Sequence, residues 1–195
     1  WMDNDGISDD LVRIHVKIIV KDDEMTVDYS GSSVQVAGPI NLSFGMALSA
    51  ARICFKTLTT PKEPSNGGQF IPLNVIAPEG SLFNAQYPAP VFTIWAGVIG
   101  METIYSALAK AFPHKVPASS GGDLGDPGFY GCEPYTGRQV WHQTNAGVGW
   151  GARHDSDGIN TTQHISMCTV KNIPIDVIES RLPVMVERAG FRQDS

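Results

Sequence analysis

The run Asn145-Ala-Gly147-Val-Gly149-Trp150-Gly151-Ala-Arg153-His154-Asp155-Ser-Asp157-Gly158 concentrates much of the chemistry this chain offers. Glycines at 147, 149 and 151 strip one face of an extended segment of side chains, so something else must lie against that backbone. Two surfaces qualify: a bound ligand, or a tightly packed neighbouring segment. His154, flanked by Arg153 and Asp155, has the neighbours of a general base held by a carboxylate. A solvated loop histidine is the competing reading, and it is the commoner one. His164 falls in an apolar-leaning stretch, where a hydrogen-bonded core histidine competes with a catalytic one. His15 alternates with hydrophobes and is expected on the solvent face; His142 is ambiguous.

Other clusters carry less. Asp123 and Asp126 stand among Gly121, Gly122, Gly125 and Gly128. Oxygen ligation of a metal is conceivable there, but the spacing fits no EF-hand, and turn chemistry explains it better. Cys54, Cys132 and Cys168 are widely spaced and form no CxxC pair, so no zinc knuckle is expected. Free thiols in a reducing, cytoplasmic compartment are the expectation; Cys132, in the glycine-rich loop, is the thiol to test for reactivity. No dinucleotide fingerprint and no Gly-Lys-Ser/Thr phosphate loop occurs anywhere.

Composition bounds the rest. The chain has 195 residues, with 42% hydrophobic and 17% charged, as expected of a folded domain with a real core. A net charge of −6 argues against a nucleic-acid footprint or docking on an anionic membrane. No apolar stretch is long enough to span a bilayer, and the start has no signal-peptide pattern. The opening Trp1-Met2-Asp3 leads almost directly into a strand, which suggests a piece of a longer polypeptide.

The elements that must position these residues can be read from periodicity. Val12, Ile14, Val16, Ile18 and Val20 alternate with polar residues as in a half-buried strand. Lys21 to Glu24 turns, and Met25, Val27 and Tyr29 resume the alternation, giving a hairpin. Val34 to Val36 adds a short strand. Asn41 is a candidate N-cap for a helix carrying Met46, Ala50, Ile53 and Cys54 and stopped before Pro61. Ile71 to Ala77 is extended. Val98, Met101, Tyr105, Leu108 and Phe112 mark a second helix. Ser119 to Gly137 reads as a long glycine-rich loop. Arg138 to Gln143, His164 to Val170 and Val184 to Arg188 read as strands, and Asp176 as the cap of a short helix, Val177 to Leu182. The whole predicts an α+β fold: mixed β-sheet hairpins, two main helices and a long Gly-rich loop region.

The order of several segments resembles the hydantoinase B/oxoprolinase family. The matching stretches are Met2-Asp-Asn-Asp5-Gly6-Ile7, Thr26-Val-Asp28-Tyr-Ser30-Gly31, Val36-Ala-Gly38-Pro39-Ile-Asn41 and Pro64-Ser-Asn66-Gly67-Gly68. Pro72-Leu-Asn-Val-Ile-Ala77-Pro78-Glu79-Gly80-Ser81, Gly149-Trp-Gly151-Ala-Arg153, Asp157-Gly158 and Asn172-Ile-Pro174-Ile-Asp-Val-Ile-Glu179 complete the set. The family comprises the large subunits of ATP-dependent hydantoinases, the matching half of 5-oxoprolinases and a large subunit of acetone and acetophenone carboxylases. Its subunits are considerably longer, so residues 1–195 would be a single domain or a domain fragment of a hydantoinase B-like subunit.

The resemblance implies a multisubunit, hetero-oligomeric enzyme. A hydantoinase A-like partner would bind ATP and Mg, which agrees with the missing phosphate loop. A phosphorylated intermediate would then be hydrolysed as an amide, or carboxylated with bicarbonate. Any divalent metal site would lie upstream, so none is expected here. Asn145, Arg153, His154 and His164 are the candidate catalytic side chains, and Trp95, Gly149, Trp150 and Gly151 the candidate substrate contacts. The Gly149–Gly151 backbone N–H groups are candidate oxyanion donors. Two departures stand out: Thr93-Ile94-Trp95-Ala96-Gly97 replaces a polar segment of many relatives, and His164-Ile-Ser166 replaces a His-x-His. An apolar Trp95 region suits a ketone, which makes ketone carboxylation the leading expectation. Hydrolysis of a cyclic amide (hydantoin or 5-oxoproline) and a non-catalytic assembly role are the alternatives.

Overall fold

The computed structural model describes residues 1–143, 147–167 and 170–190. Its architecture is α+β. Strands β1 (Lys17–Lys21) and β2 (Glu24–Asp28) form the expected hairpin, with Ile18 opposite Val27 and Val20 opposite Met25. β3 (Leu73–Ile76) then adds to the other edge of β2 in parallel, with Val27 opposite Val75. A parallel neighbour needs a crossover, and helix α1 (Phe44–Thr59) supplies it. β2 is therefore central, and its Met25 and Val27 face the core.

Ala47, Ala50, Ala51, Cys54 and Phe55 make a single buried stripe along α1. The small residues of that stripe let α2 (Trp95–Ala109) pack closely against it. α2 buries Val98, Met101, Ile104, Tyr105 and Leu108, and the Tyr105 hydroxyl meets Thr57 Oγ1 at 2.7 Å. Gly100 is where α2 passes the Phe83 ring: a Cβ there would lie 2.9 Å from Cε1. Phe83 in turn stacks on Tyr29, with ring centroids 4.1 Å apart. Burial pushes the Tyr29 phenol up from its ordinary value.

Several local expectations are corrected. The alternation of Val12 to Val20 forms a ladder only from Lys17; Val12 bridges Met2 instead, and Ser33 donates to the Arg13 carbonyl. His15 is not on the solvent face: its ring lies against Gly31, and Nδ1 is buried. Asn41 does not cap α1. Ser43 precedes the helix, and Asn41 is fully buried, accepting from Val36 N–H and donating to the carbonyls of Val36, Gly38 and Pro90. It clamps the loop before the helix to the loop before α2. Val34 contributes one bridge, to Ser81, and no strand.

The long glycine-rich stretch contains a strand that periodicity missed. β4 (Gly128–Cys132) pairs antiparallel with β5 (Gln139–Gln143), placing Phe129 opposite His142 and Tyr130 opposite Trp141. Phe112 lies beyond the end of α2. Ile165–Met167 is a short 3-10 turn, not a strand, and Val184 to Arg188 is irregular. α3 spans Ile175–Arg181; Asp176 sits in its first turn without capping it.

Candidate functional site

α2 carries a single charged residue, Glu102, in fifteen positions. A lone carboxylate in so apolar a helix needs partners, and it finds three on one oxygen. Oε1 accepts from His164 Nε2 at 3.0 Å, from Ser120 Oγ at 2.6 Å and from Ser120 N–H at 3.2 Å. Burial pushes the carboxyl up; the hydrogen bonds from His164, Ser120 and Ser119 more than offset it and hold the carboxyl at about 2.

His164 is fully buried, and Glu102 is 14% exposed. The Ser166 backbone N–H donates to His164 Nδ1 at 3.2 Å, and Ser166 Oγ lies 3.0 Å from the same nitrogen. A backbone N–H can only donate, so Nδ1 is an acceptor and the ring proton sits on Nε2, pointing at Glu102. Both ring nitrogens are thus engaged. Serine at the last position of His164-Ile-Ser166 is what closes this arrangement.

Trp150 belongs to the same neighbourhood. Its Nε1 donates to the Gln163 carbonyl, and its ring, with Gly151, Glu102, Tyr105 and Ile165, lines a cavity of ≈ 20 Å³. That is room for about one water, not for a substrate. The glycine run is enclosed by its own chain. A Cβ on Gly151 would lie 2.2 Å from the Ala118 carbonyl oxygen, and one on Gly147 2.0 Å from that of Thr161. The Gly149 and Trp150 N–H groups donate to the carbonyls of Thr162 and Ile159. Of the two surfaces that the glycine pattern allowed, the packed segment is the one present, and those two N–H groups are already occupied.

A wider groove of ≈ 640 Å³ opens at the other end of α2. Phe92, Thr93, Trp95, Trp141 and His142 are among its walls, with Asp123 and Asp126 between them. Trp95 Nε1 donates to Asp123 Oδ1 at 3.1 Å. Gln163 Nε2 donates to Asp126 Oδ1 at 3.3 Å, and Gln143 Nε2 reaches Oδ2 at 3.5 Å. Gln163 therefore links the two regions: its side chain holds Asp126, its carbonyl holds Trp150, and the next residue is His164. Thr93 Oγ1, His142 Nε2 and Gln163 Oε1 are buried without a hydrogen-bond partner.

The residues singled out in sequence thus divide. His164, Trp150 and Gly151 come together around Glu102, and Trp95 stands two turns away on the same helix. Arg153 and His154 lie on an exposed turn closed by Arg153 N–H to Ser156 O, and Asp155 is 4.0 and 3.8 Å from them. The His154 ring meets His114 edge-on at 4.9 Å. Asn145 lies outside the described residues. Sequence reasoning missed Glu102 and Gln163. For Glu102 a signal existed: the only charge in an otherwise uncharged helical stretch. Cys132 is an exposed free thiol. No helix among the described residues is long and apolar enough to cross a membrane.

The full chain, residues 1–195, matches the hydantoinase B/oxoprolinase family. A D-/L-hydantoinase subunit of the hydantoinase B type, from Pseudomonas sp. (strain NS671), is 30% identical over all of this chain and 33% of its own length. The ATP-dependent caprolactamase of Pseudomonas jessenii superposes with a TM-score of 0.75 at 26% identity, over 90% of this chain and 31% of that one. Acetone carboxylase in its nucleotide-free form superposes with a TM-score of 0.71 at 18% identity, over 87% of this chain and 23% of that one, which shows a shared fold. The chain spans about a third of the length of curated relatives that it matches at 30% identity or more. On the match of its whole length, this chain belongs to the hydantoinase B/oxoprolinase family.

Proposed function

We propose that this chain is part of the large subunit of an ATP-dependent enzyme that opens a cyclic amide, and that the Trp95–Asp123 groove is one wall of its substrate site. The groove carries the proposal. Its ≈ 640 Å³ suits a five- to seven-membered ring, and its aromatic walls would cover the faces of that ring. Thr93, His142, Gln143 and Asp126 supply polar atoms for an amide that an apolar pocket for a simple ketone would lack. The relatives named for hydantoin and caprolactam support the same class.

The residues lining the groove suit no triphosphate. They include two aspartates and neither Lys nor Arg. Nucleotide activation accordingly belongs to a hydantoinase A-like partner, which supplies a phosphorylated and therefore more electrophilic substrate. This chain's residues bind, orient and shield. Phe92, Trp95 and Trp141 exclude water from the ring. Glu102 and His164 act as positioning residues, fixing the Gln163–Met167 segment against α2 so that Gln163 keeps Asp126 in place. Arg153, His154 and Asn145 remain candidate contacts for the reacting carbonyl, on a segment that meets the rest of the enzyme.

Ketone carboxylation is the second reading. It is favoured by the apolar face that Phe92, Ile94 and Trp95 present to the groove. The discriminating experiment is ATP hydrolysis by the complete complex with hydantoin, caprolactam, acetone and acetophenone, each with and without bicarbonate. Turnover with a cyclic amide and no bicarbonate is expected. Turnover that requires both a ketone and bicarbonate would replace the amide reading with the carboxylase reading.

A further inference from the structure

We infer that the substrate carries no negative charge beside its ring: plain lactams and unsubstituted cyclic ureides are taken, and the same rings bearing a carboxylate are turned away. The inference rests on the groove being a wall of the substrate site and adds the charge class that the site selects.

The charges around Trp95 have one sign. Asp123 and Asp126 line the groove. A second cavity, of ≈ 650 Å³ on the other side of Trp95, is lined by Asp3, Asp5 and again Asp123. Among the described residues no Lys or Arg lines either one; His142 is the only lining side chain able to become positive. The adjoining Thr144, Asn145, Ala146, Cys168 and Thr169 bring no charge by their identity. Nor are the two groove aspartates neutralised by a cation. The donors to Asp123 are the Trp95 indole and the Leu124 N–H, and the donors to Asp126 are the amides of Gln143 and Gln163. Neutral donors hold a carboxylate in place and leave its charge facing the groove.

A second observation points to what the groove accepts. Thr93 Oγ1 and His142 Nε2 belong to groove-lining residues and are buried without partners. Gln163 is 2% exposed; a carboxylate cannot donate, so its Nε2 must face Asp126 and its unpartnered Oε1 is left over. Unpaired donors and acceptors of this kind match an uncharged group that offers both N–H and C=O. A substituent carboxylate brought beside Asp123 and Asp126 would meet like charge where little water screens it.

The test uses matched pairs with the intact complex: 2-pyrrolidinone against 5-oxoproline, and hydantoin against hydantoin-5-acetate. kcat/KM for ATP-dependent ring opening is expected to favour the uncharged member by on the order of tenfold or more. Added salt should narrow the gap by speeding the anionic member. Asp123→Asn and Asp126→Asn should narrow it too. If the anionic members are opened as fast or faster, the inference falls while the amide reading stands. If no cyclic amide is opened and a ketone with bicarbonate is turned over, both fall. A gap that neither salt nor the two variants alter would overturn the groove as its source.

Discussion

Glu102 and His164 are 62 residues apart in sequence and 3.0 Å apart in space, with the imidazole Nε2 proton directed at the carboxylate. The bond ties the segment after the glycine run to the middle of α2. Breaking one side of a buried charged pair leaves the other uncompensated, which is more costly than never having the pair.

Replacing Glu102 by Gln should destabilise the subunit by about 3 kcal/mol at neutral pH, the equivalent of lowering a carboxyl from 4.5 to about 2 on folding. The sign follows from the direction. A carboxyl that is more acidic in the folded state contributes fully above its unfolded value, and loses that contribution as pH falls towards 2. The difference between wild type and Glu102→Gln should thus be greatest above pH ~5 and vanish near pH ~2. Denaturant unfolding across that range checks it; a constant difference would show that the carboxylate charge is not what the site stabilises.

Gly151 and Gly158 should tolerate no side chain. A Cβ on Gly158 would sit 2.0 Å from the Trp150 carbonyl oxygen, and backbone on both sides cannot move independently. Gly151→Ala and Gly158→Ala are expected to cost more than ~2 kcal/mol. Gly131→Ala, whose Cβ would meet nothing within 4 Å, should change stability by less than ~0.5 kcal/mol. Thermal unfolding of the three variants gives the comparison.

Asp5 anchors the start of the chain. Its carboxylate accepts from the N–H groups of Ser8, Gly38 and Ile7, and those bonds hold it below the usual carboxylate range. The anchorage is therefore present above that range and lost as pH falls through the lowered value. In Asp5→Asn an amide nitrogen replaces one acceptor. The Gly38 N–H should then exchange with solvent faster, and proteolysis within residues 6–11 should quicken. Unchanged exchange at Gly38 would show that the bond does not hold the segment.

The strands and helices that bury one regular face were legible in sequence. The β1–β2 hairpin and both long helices follow from alternation and from helical spacing of apolar residues. β4 was not legible, because Gly128, Gly131 and an exposed Phe129 give it no buried face to show. His164 read correctly as a residue of interest, but its partner did not, since a contact across 62 residues leaves no local pattern. The glycine run was legible as a bare backbone needing a cover. That the cover is the chain's own carbonyls could not be read, because close backbone approach depends on tertiary placement. Asn41 misled for a related reason: its amide satisfies three loop carbonyls, which outweigh a cap.

Arg153 and His154 should be dispensable for folding. Their only described ionic neighbour is Asp155, at 4.0 and 3.8 Å, and all three side chains are exposed. Ion pairs of this kind contribute little. Arg153→Ala and His154→Ala should shift stability by less than ~0.5 kcal/mol. Any loss of turnover in the complete complex then reports a contact with substrate or with another part of the enzyme. Full activity in both, together with full activity in His164→Ala, would favour an assembly role for this segment.

Trp95 separates a ring-stacking role from a hydrogen-bonding one. Trp95→Phe keeps an aromatic wall and removes the donor to Asp123, which retains the Leu124 N–H. A typical hydrogen bond contributes about 1 kcal/mol net, so stability should fall by no more than that. If the groove binds substrate, Trp95→Phe should raise KM several-fold and leave kcat nearly unchanged, because Asp123 loses its orientation while the ring is still covered. Trp95→Ala should raise KM further and also lower kcat, as water enters beside the ring. The order Phe then Ala, read in KM before kcat, is specific to a wall of the substrate site. A Trp95 that only packs the start of α2 would change the melting temperature and leave KM where it is.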